Sequence, residues 1–197
     1  KEIQGYFGLI GKSVQKLEHI FNDFKEVSFI LHGDLNITTF SLSELIEEVS
    51  NSVFLKRNKD IKRAKIKVKI LADSNYMTSD RALLKRLFYQ LIENAFEHNN
   101  YYDTELKIIF EKDNSSYYKI YFADNGIGIA DDLKYKVFEV FFKGKRSDIN
   151  IGMGLYMAKK VVSRLGGELN LHSEIDNGTT IEVILPVRQM ADNLNYN

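Results

Sequence analysis

No cysteine occurs among the 197 residues, which excludes both a disulfide frame and a thiolate metal site. A reducing compartment fits that absence, and the expected location is the cytoplasm. The 27 basic and 27 acidic side chains cancel, so no general attraction draws the chain to nucleic acid or anionic membrane. No apolar run approaches the ~18–20 residues that span a bilayer, and no secretory leader is visible. The chain opens on Lys1 rather than Met, which reads as a piece of something longer, with any membrane or sensor segment upstream. What is present is ordinary for a globular protein. It is 44% hydrophobic and 27% charged, at a length that suits one compact domain of about 100–200 residues.

The first segment has a clear period. Ile3, Phe7, Ile10, Val14, Leu17, Phe21, Phe24, Ser28 and Leu31 are spaced alternately four and three, and all but Ser28 are apolar. A repeat of 3.5 residues predicts a helix that supercoils against partner helices, although Gly5, Gly8 and Gly11 weaken its first turns. His32-Gly33-Asp34 breaks it, and Thr38–Phe40 reads as a short extended linker. Ser41 or Ser43 is placed to cap a second helix running to about Arg57. Eight basic residues fall between Lys56 and Lys69. No aromatics interleave as stacking platforms would require, so these read as solvated lysines, and nucleic acid is not an expected partner.

Lys65–Leu71 alternates as a half-buried strand. Asp80 caps a long helix to about His98, whose core face is Leu83, Leu84, Leu87, Phe88, Leu91, Ile92 and Ala95. Leu106–Phe110 and Tyr117–Ala123 pair as a hairpin around Asp113-Asn114-Ser115-Ser116. Asp131–Val137 reads as a short helix, and Met153–Leu165 as a helix ended by Gly166-Gly167. Glu168–His172 and Thr179–Leu185 form a last hairpin, stopped by Pro186, the single proline. The expected fold is α+β: a two-layer sandwich of a mixed, mostly antiparallel sheet with helices on one face, preceded by a long coiled-coil-like helix. The expected division is the coiled-coil-like helix over 1–31, which must pack on another helix from an upstream piece or a second copy, a linker over 32–39, the main domain over 40–187 and a frayed tail over 188–197.

Three stretches carry chemistry. Gln90, Asn94, Glu97 and His98 line one face of the long helix, opposite its leucines. Strand Tyr117–Ala123 then delivers Asp124, an acceptor for an exocyclic amine, into "DNGIGI", where Gly126 and Gly128 admit close backbone approach. No acidic residue follows at the spacing of a calcium loop, which excludes an EF-hand. Last, Gly152-Met153-Gly154-Leu155 leads into a helix whose exposed N–H groups favour phosphate, behind a loop holding Lys143, Lys145 and Arg146. Residues 143–152 have little apolar content to order them.

Taken in order, "LIENAFEH", "DNGIGI", "VFEVFFKG", "GMGL" and "GTT" resemble the ATP-binding domain of sensor histidine kinases. Its superfamily also holds gyrase-type topoisomerases, a heat-shock chaperone and mismatch-repair ATPases. The resemblance covers roughly residues 40–187, and "LIGKSVQKLEHIFNDF" looks like the second helix of a kinase dimerisation domain. It implies that Asp124 hydrogen-bonds the adenine amine, that Gly126, Gly128 and Ile129 border the nucleotide, and that Thr179 supports Asp124 through water. It further implies that Asn94 holds Mg²⁺ between the phosphates, with Gln90 a second candidate ligand, and that His98 lies beside the nucleotide. Lys143 would face the phosphates. Gly152, Met153, Gly154 and Leu155 would form the second glycine box, hinging a lid that closes on ATP.

The resemblance implies ATP and Mg²⁺ as cofactors, a homodimer through residues 3–31, and a response regulator receiver domain as partner. It also implies a phosphoacceptor histidine on an upstream helix. His19, His32, His98 and His172 all sit outside that context. Two departures stand out: Gln90 replaces the family's frequent asparagine, and Glu97 replaces its common phosphate-facing lysine. Glu97 is the best argument for an alternative, a nucleotide-binding module without transferase activity. A sigma-factor-regulating serine kinase is a further alternative, but it would lack the heptad helix.

Overall fold

The computed structural model describes residues 2–57, 64–99, 103–113, 116–142 and 152–188. A helix α1 (Glu2–His32) leads to strand β1 (Ile37–Ser41) and helix α2 (Leu42–Arg57). Strands β2 (Lys65–Ile70) and β3 (Tyr76–Asp80) precede the long helix α3 (Arg81–Glu97). Strands β4 (Glu105–Asp113) and β5 (Tyr117–Asp124), helix α4 (Gly154–Arg164), and strands β6 (Glu168–Ser173) and β7 (Thr179–Pro186) complete the order. The main sheet runs β2-β4-β5-β7-β6. Among the described residues only its β2–β4 pair is parallel, so the sheet is mixed and mostly antiparallel as expected.

Alternation explains the layering. On β5, Tyr118, Ile120 and Phe122 are buried, and on β7 Ile181, Val183 and Leu185, so one face of the sheet is apolar. The predicted leucine face of α3 covers it, all seven residues being buried, with Phe88 edge-on to Phe122 at 5.1 Å. Each such side chain removed from water contributes about 1.5–3 kcal/mol. This contact sets the depth of the site, because burying the leucines turns the opposite, polar face of α3 away from the sheet.

Asp80 fixes where α3 begins. Its Oδ1 accepts from Leu83 N at 2.9 Å, and its Oδ2 accepts from Asn36 N at 2.8 Å, while the residue is only 4% exposed. Asp80→Ala should therefore lower unfolding stability by about 1–2 kcal/mol, the usual range for losing a helix cap. Urea denaturation tests it, and an unshifted midpoint would overturn it. For α2 the cap is Ser41, whose Oγ accepts from Glu44 N at 3.3 Å. Ser43 instead donates to Asn75 Oδ1 at 2.8 Å.

Two expectations are corrected. Thr38–Phe40 is part of strand β1, paired antiparallel with β3 in a separate two-stranded sheet. The helix expected over Asp131–Val137 is replaced by two 3-10 turns, Asp131–Leu133 and Lys136–Phe138. So short a segment gains too few hydrogen bonds to offset α-helix nucleation. The turn around Asn114 and Ser115 and the tail beyond Arg188 lie outside the described residues.

Helix α1 is continuous through its three glycines. Its predicted 3.5-residue seam faces outward: Phe7, Ile10, Val14, Leu17, Phe21 and Phe24 are exposed. A different stripe, Ile20, Val27 and Ile30, packs on the domain core, with Ile30 fully buried. Arg86 of α3 holds α1 through Glu26 at 2.5 Å and stacks over Phe29 at 4.3 Å. Arg164 of α4 donates to the carbonyls of Leu31 and Gly33 at its C-terminal end.

Candidate nucleotide site

The polar face of α3, the end of β5 and the start of α4 enclose one cavity of about 570 Å³, within the ~300–1,000 Å³ typical of small-ligand sites. From α3 it is lined by the four predicted residues Gln90, Asn94, Glu97 and His98. Asp124 and Thr179 line one end, followed by Gly128 and Ile129 of the glycine loop. Gly152, Met153, Gly154 and Leu155 line it where α4 begins. Lys143, Lys145, Arg146 and most of the lid expected over 143–152 lie outside the described residues.

Pairing places the carboxylate. Asp124 is opposite Thr179 on β7, and its Oδ1 accepts from Gly126 N at 2.8 Å and from Thr179 N at 3.2 Å. Both bonds fall on one oxygen, so the other keeps its acceptor capacity. Burial raises the pKa of Asp124, opposed by the two backbone N–H bonds.

The glycines have a cause the sequence does not show. A Cβ on Gly128, which has φ +70°, would lie 1.9 Å from Glu174 O, and one on Gly126 would lie 2.8 Å from Asp124 Oδ1. The chain's own atoms fill those spaces, so the first requirement is packing of the loop beneath Asp124, not room for a ligand. Gly126 accordingly sits behind the cavity wall, buried, while Gly128 reaches its surface.

At the far end, Met153 stands at the N-cap of α4 and provides no side-chain cap. Free N–H groups at the start of this 11-residue helix suit an anion. Gln90 Oε1 lies 2.8 Å from where a Cβ on Gly154 would stand, so the Gln90 amide and the α4 terminus adjoin. Asn94 is one turn farther along α3. Two neutral amide oxygens fit a hard cation such as Mg²⁺ that keeps most of its waters and also binds phosphate. Among the described residues no three His, Cys, Asp or Glu side chains form a metal cluster; an ion here would share its coordination with the ligand.

His98 caps the end of α3, its N–H donating to Asn94 O at 3.2 Å and its carbonyl accepting from Ile127 N at 3.3 Å. Burial holds its imidazole below the ordinary histidine pKa, despite the adjacent Glu97 charge, and Arg57 adds to the effect. Burial thus favours the neutral form of the ring that borders the cavity.

Several lining residues carry no sequence signal. Past Asn94 the cavity continues between Tyr89 and Glu93 of α3, Lys56 of α2, and His19 and Asp23 of α1. Lys56 Nζ donates to Glu93 Oε1 at 2.7 Å. His19, outside the phosphoacceptor context in sequence, is exposed at this rim. Nothing in the chain order announces that α1 reaches the cavity, because its docking stripe lies beside the stronger heptad seam.

Residues 79–189 match the family model described as histidine kinase-, DNA gyrase B-, and HSP90-like ATPase. The chain is 29% identical to the sensor protein KdpD of Clostridium acetobutylicum over 148 residues, which is 73% of this chain and 16% of that protein. It is also 29% identical to the sensor protein CiaH of Streptococcus pneumoniae over 155 residues, 77% of this chain and 32% of that one. It therefore spans a third or less of the length of these relatives. Among solved structures, full-length ShkA in complex with AMPPNP superposes with a TM-score of 0.76 at 16% identity, over 96% of this chain and 40% of that one. That likeness is one of fold.

Proposed function

Because the chain belongs to the histidine kinase-, DNA gyrase B- and HSP90-like ATPase family, we propose that it is the ATP-binding catalytic domain of a sensor histidine kinase. The carrying observation is the two-ended cavity. A buried carboxylate with acceptor capacity lies at one end, and an uncapped helix start beside amide oxygens lies at the other. An adenine amine suits the first and a triphosphate the second. The AMPPNP held by ShkA supports a nucleotide of this kind.

In this reading Asp124 receives the amine, and Thr179 buttresses the carboxylate through its backbone N–H. His98, Gly128 and Ile129 border the nucleoside. The α4 N-terminus with Gly152, Met153, Gly154 and Leu155 orients the phosphates, with Lys143 as a further cation toward them. Asn94, with Gln90 beside it, would hold Mg²⁺, which supplies charge neutralisation between the phosphates. The domain's contribution is positioning and electrostatics; the γ-phosphoryl passes to a histidine on an upstream helix. Residues 1–31 then belong to the dimerisation helices, 32–36 to the linker, 37–187, from strand β1 onward, to the catalytic domain and 188–197 to a tail. A second copy and a response regulator receiver domain are the protein partners.

Asn94→Ala should abolish the enhancement of ATP binding by Mg²⁺ while adenosine still binds. Calorimetry with and without the ion checks it; equal enhancement in both proteins would remove Asn94 from the metal site. Transfer itself is tested by mixing this chain and labelled ATP with a separate chain that carries the upstream helix but no ATP-binding domain. Label appearing on that separate chain only when both are present supports the assignment, and none appearing refutes it.

A further inference from the structure

Ser173, the last residue of β6, lies outside every motif above, yet its hydroxyl joins three parts of the site. Its Oγ accepts from Ile129 N at 2.8 Å, contacts Gly178 O at 2.9 Å and contacts Thr179 Oγ1 at 2.9 Å. A hydroxyl owns one proton and two lone pairs. A carbonyl oxygen only accepts, so the bond to Gly178 uses the Ser173 proton. A backbone N–H only donates, so Ile129 fills one lone pair. The remaining bond must then be given by Thr179, whose own proton is spent on Ser173.

The consequence falls on the cavity. Thr179 is 7% exposed and lines the cavity beside Asp124. With its proton committed, its Oγ1 presents lone pairs alone. Building on the ATP reading, we propose that Ser173 is a positioning residue for base selection. By orienting the Thr179 hydroxyl it makes two neighbouring side chains that line the cavity, Asp124 and Thr179, acceptors toward the base. Such a pair favours a purine with an amine at C6 and disfavours one with an oxo group there, whose lone pairs would face lone pairs. Leaving a buried polar group opposed in this way weakens binding by about tenfold or more. The N–H bonds from Gly126 and Thr179 act in the same direction, because they favour the ionised carboxylate against its burial.

The test titrates the full chain with MgATP and with MgITP, which differs at C6 by an oxo group in place of the amine. The unaltered chain should prefer ATP by about tenfold or more. Ser173→Ala releases the Thr179 hydroxyl to rotate and donate, and the ATP-to-ITP preference should fall at least about fivefold. Ser173→Thr keeps the hydroxyl and should restore the preference. Thr179→Val removes the oriented acceptor with Ser173 intact and should also lower it, which covers the case of Ser173→Ala failing to fold. Equal weakening of both nucleotides with an unchanged ratio in both variants would make Ser173 a structural residue and overturn the proposal. ATP binding without preference over ITP in the unaltered chain would overturn it while leaving the ATP site standing. No ATP binding at all would refute the site itself.

Discussion

Asp124→Asn should weaken ATP binding by tenfold or more while leaving the fold intact. The substitution is nearly isosteric, and the amide oxygen can keep the bonds from Gly126 N and Thr179 N that the Oδ1 oxygen accepts now. Keeping them turns the amide NH₂ to where the second carboxylate oxygen stands, so a donor meets the base's amine. A hydrogen bond to a charged group contributes about 1.5–3 kcal/mol, roughly ten- to a hundredfold in Kd. The same site predicts a pH dependence. Burial raises the Asp124 pKa above its ordinary 3.8, and the protonated acid no longer accepts through both oxygens. ATP affinity should therefore decline as pH falls through that raised value, sooner than for an exposed carboxylate. The asparagine variant should lack this component. Calorimetry across pH decides it: unchanged affinity in a variant with an unchanged circular dichroism spectrum would remove Asp124 from the base site.

That residue shows how far local pattern reaches. The alternation of Tyr117–Ala123 fixes strand β5 and so puts Asp124 at its end, and the Asp80 cap with the leucine period fixes which face of α3 is polar. Those two facts bring Asn94, His98 and Asp124 to one cavity. Strand β3 escaped because five residues, Tyr76–Asp80, pair only with the equally short β1, too little for a period to declare itself. Ser173 escaped for a different reason. A lone serine at a strand end has no signature, and its role exists only once the β6–β7 register brings Thr179 opposite it. The glycines were legible as necessary, but not why. Their nearest obstacles are Glu174 O and Asp124 Oδ1, contacts that belong to tertiary structure.

The outward seam of α1 carries the other large expectation. Phe7, Leu17 and Phe21 are each at least 60% exposed, and with Ile10, Val14 and Phe24 they form a continuous apolar stripe along the helix. Stripes of that size rarely stay in water, and each side chain gains about 1.5–3 kcal/mol on burial. Helix α1 cannot satisfy them on its own domain, because its docking stripe of Ile20, Val27 and Ile30 already uses that side. A second copy of the chain, offering the same 3.5-residue spacing, is the partner the pattern fits. The chain should therefore self-associate through residues 3–31. Removing the whole helix would be a poor test, since Ile30 at 1% exposure is part of the core. Replacing Val14, Leu17 and Phe21 together by glutamate leaves the docking stripe intact and puts three charges into the seam, where each is costly to bury. Light scattering should give an oligomer for the unaltered chain and a monomer for the triple variant, with ATP binding equal in both. A monomer before substitution, or an undiminished oligomer after it, would show that the seam is not the interface.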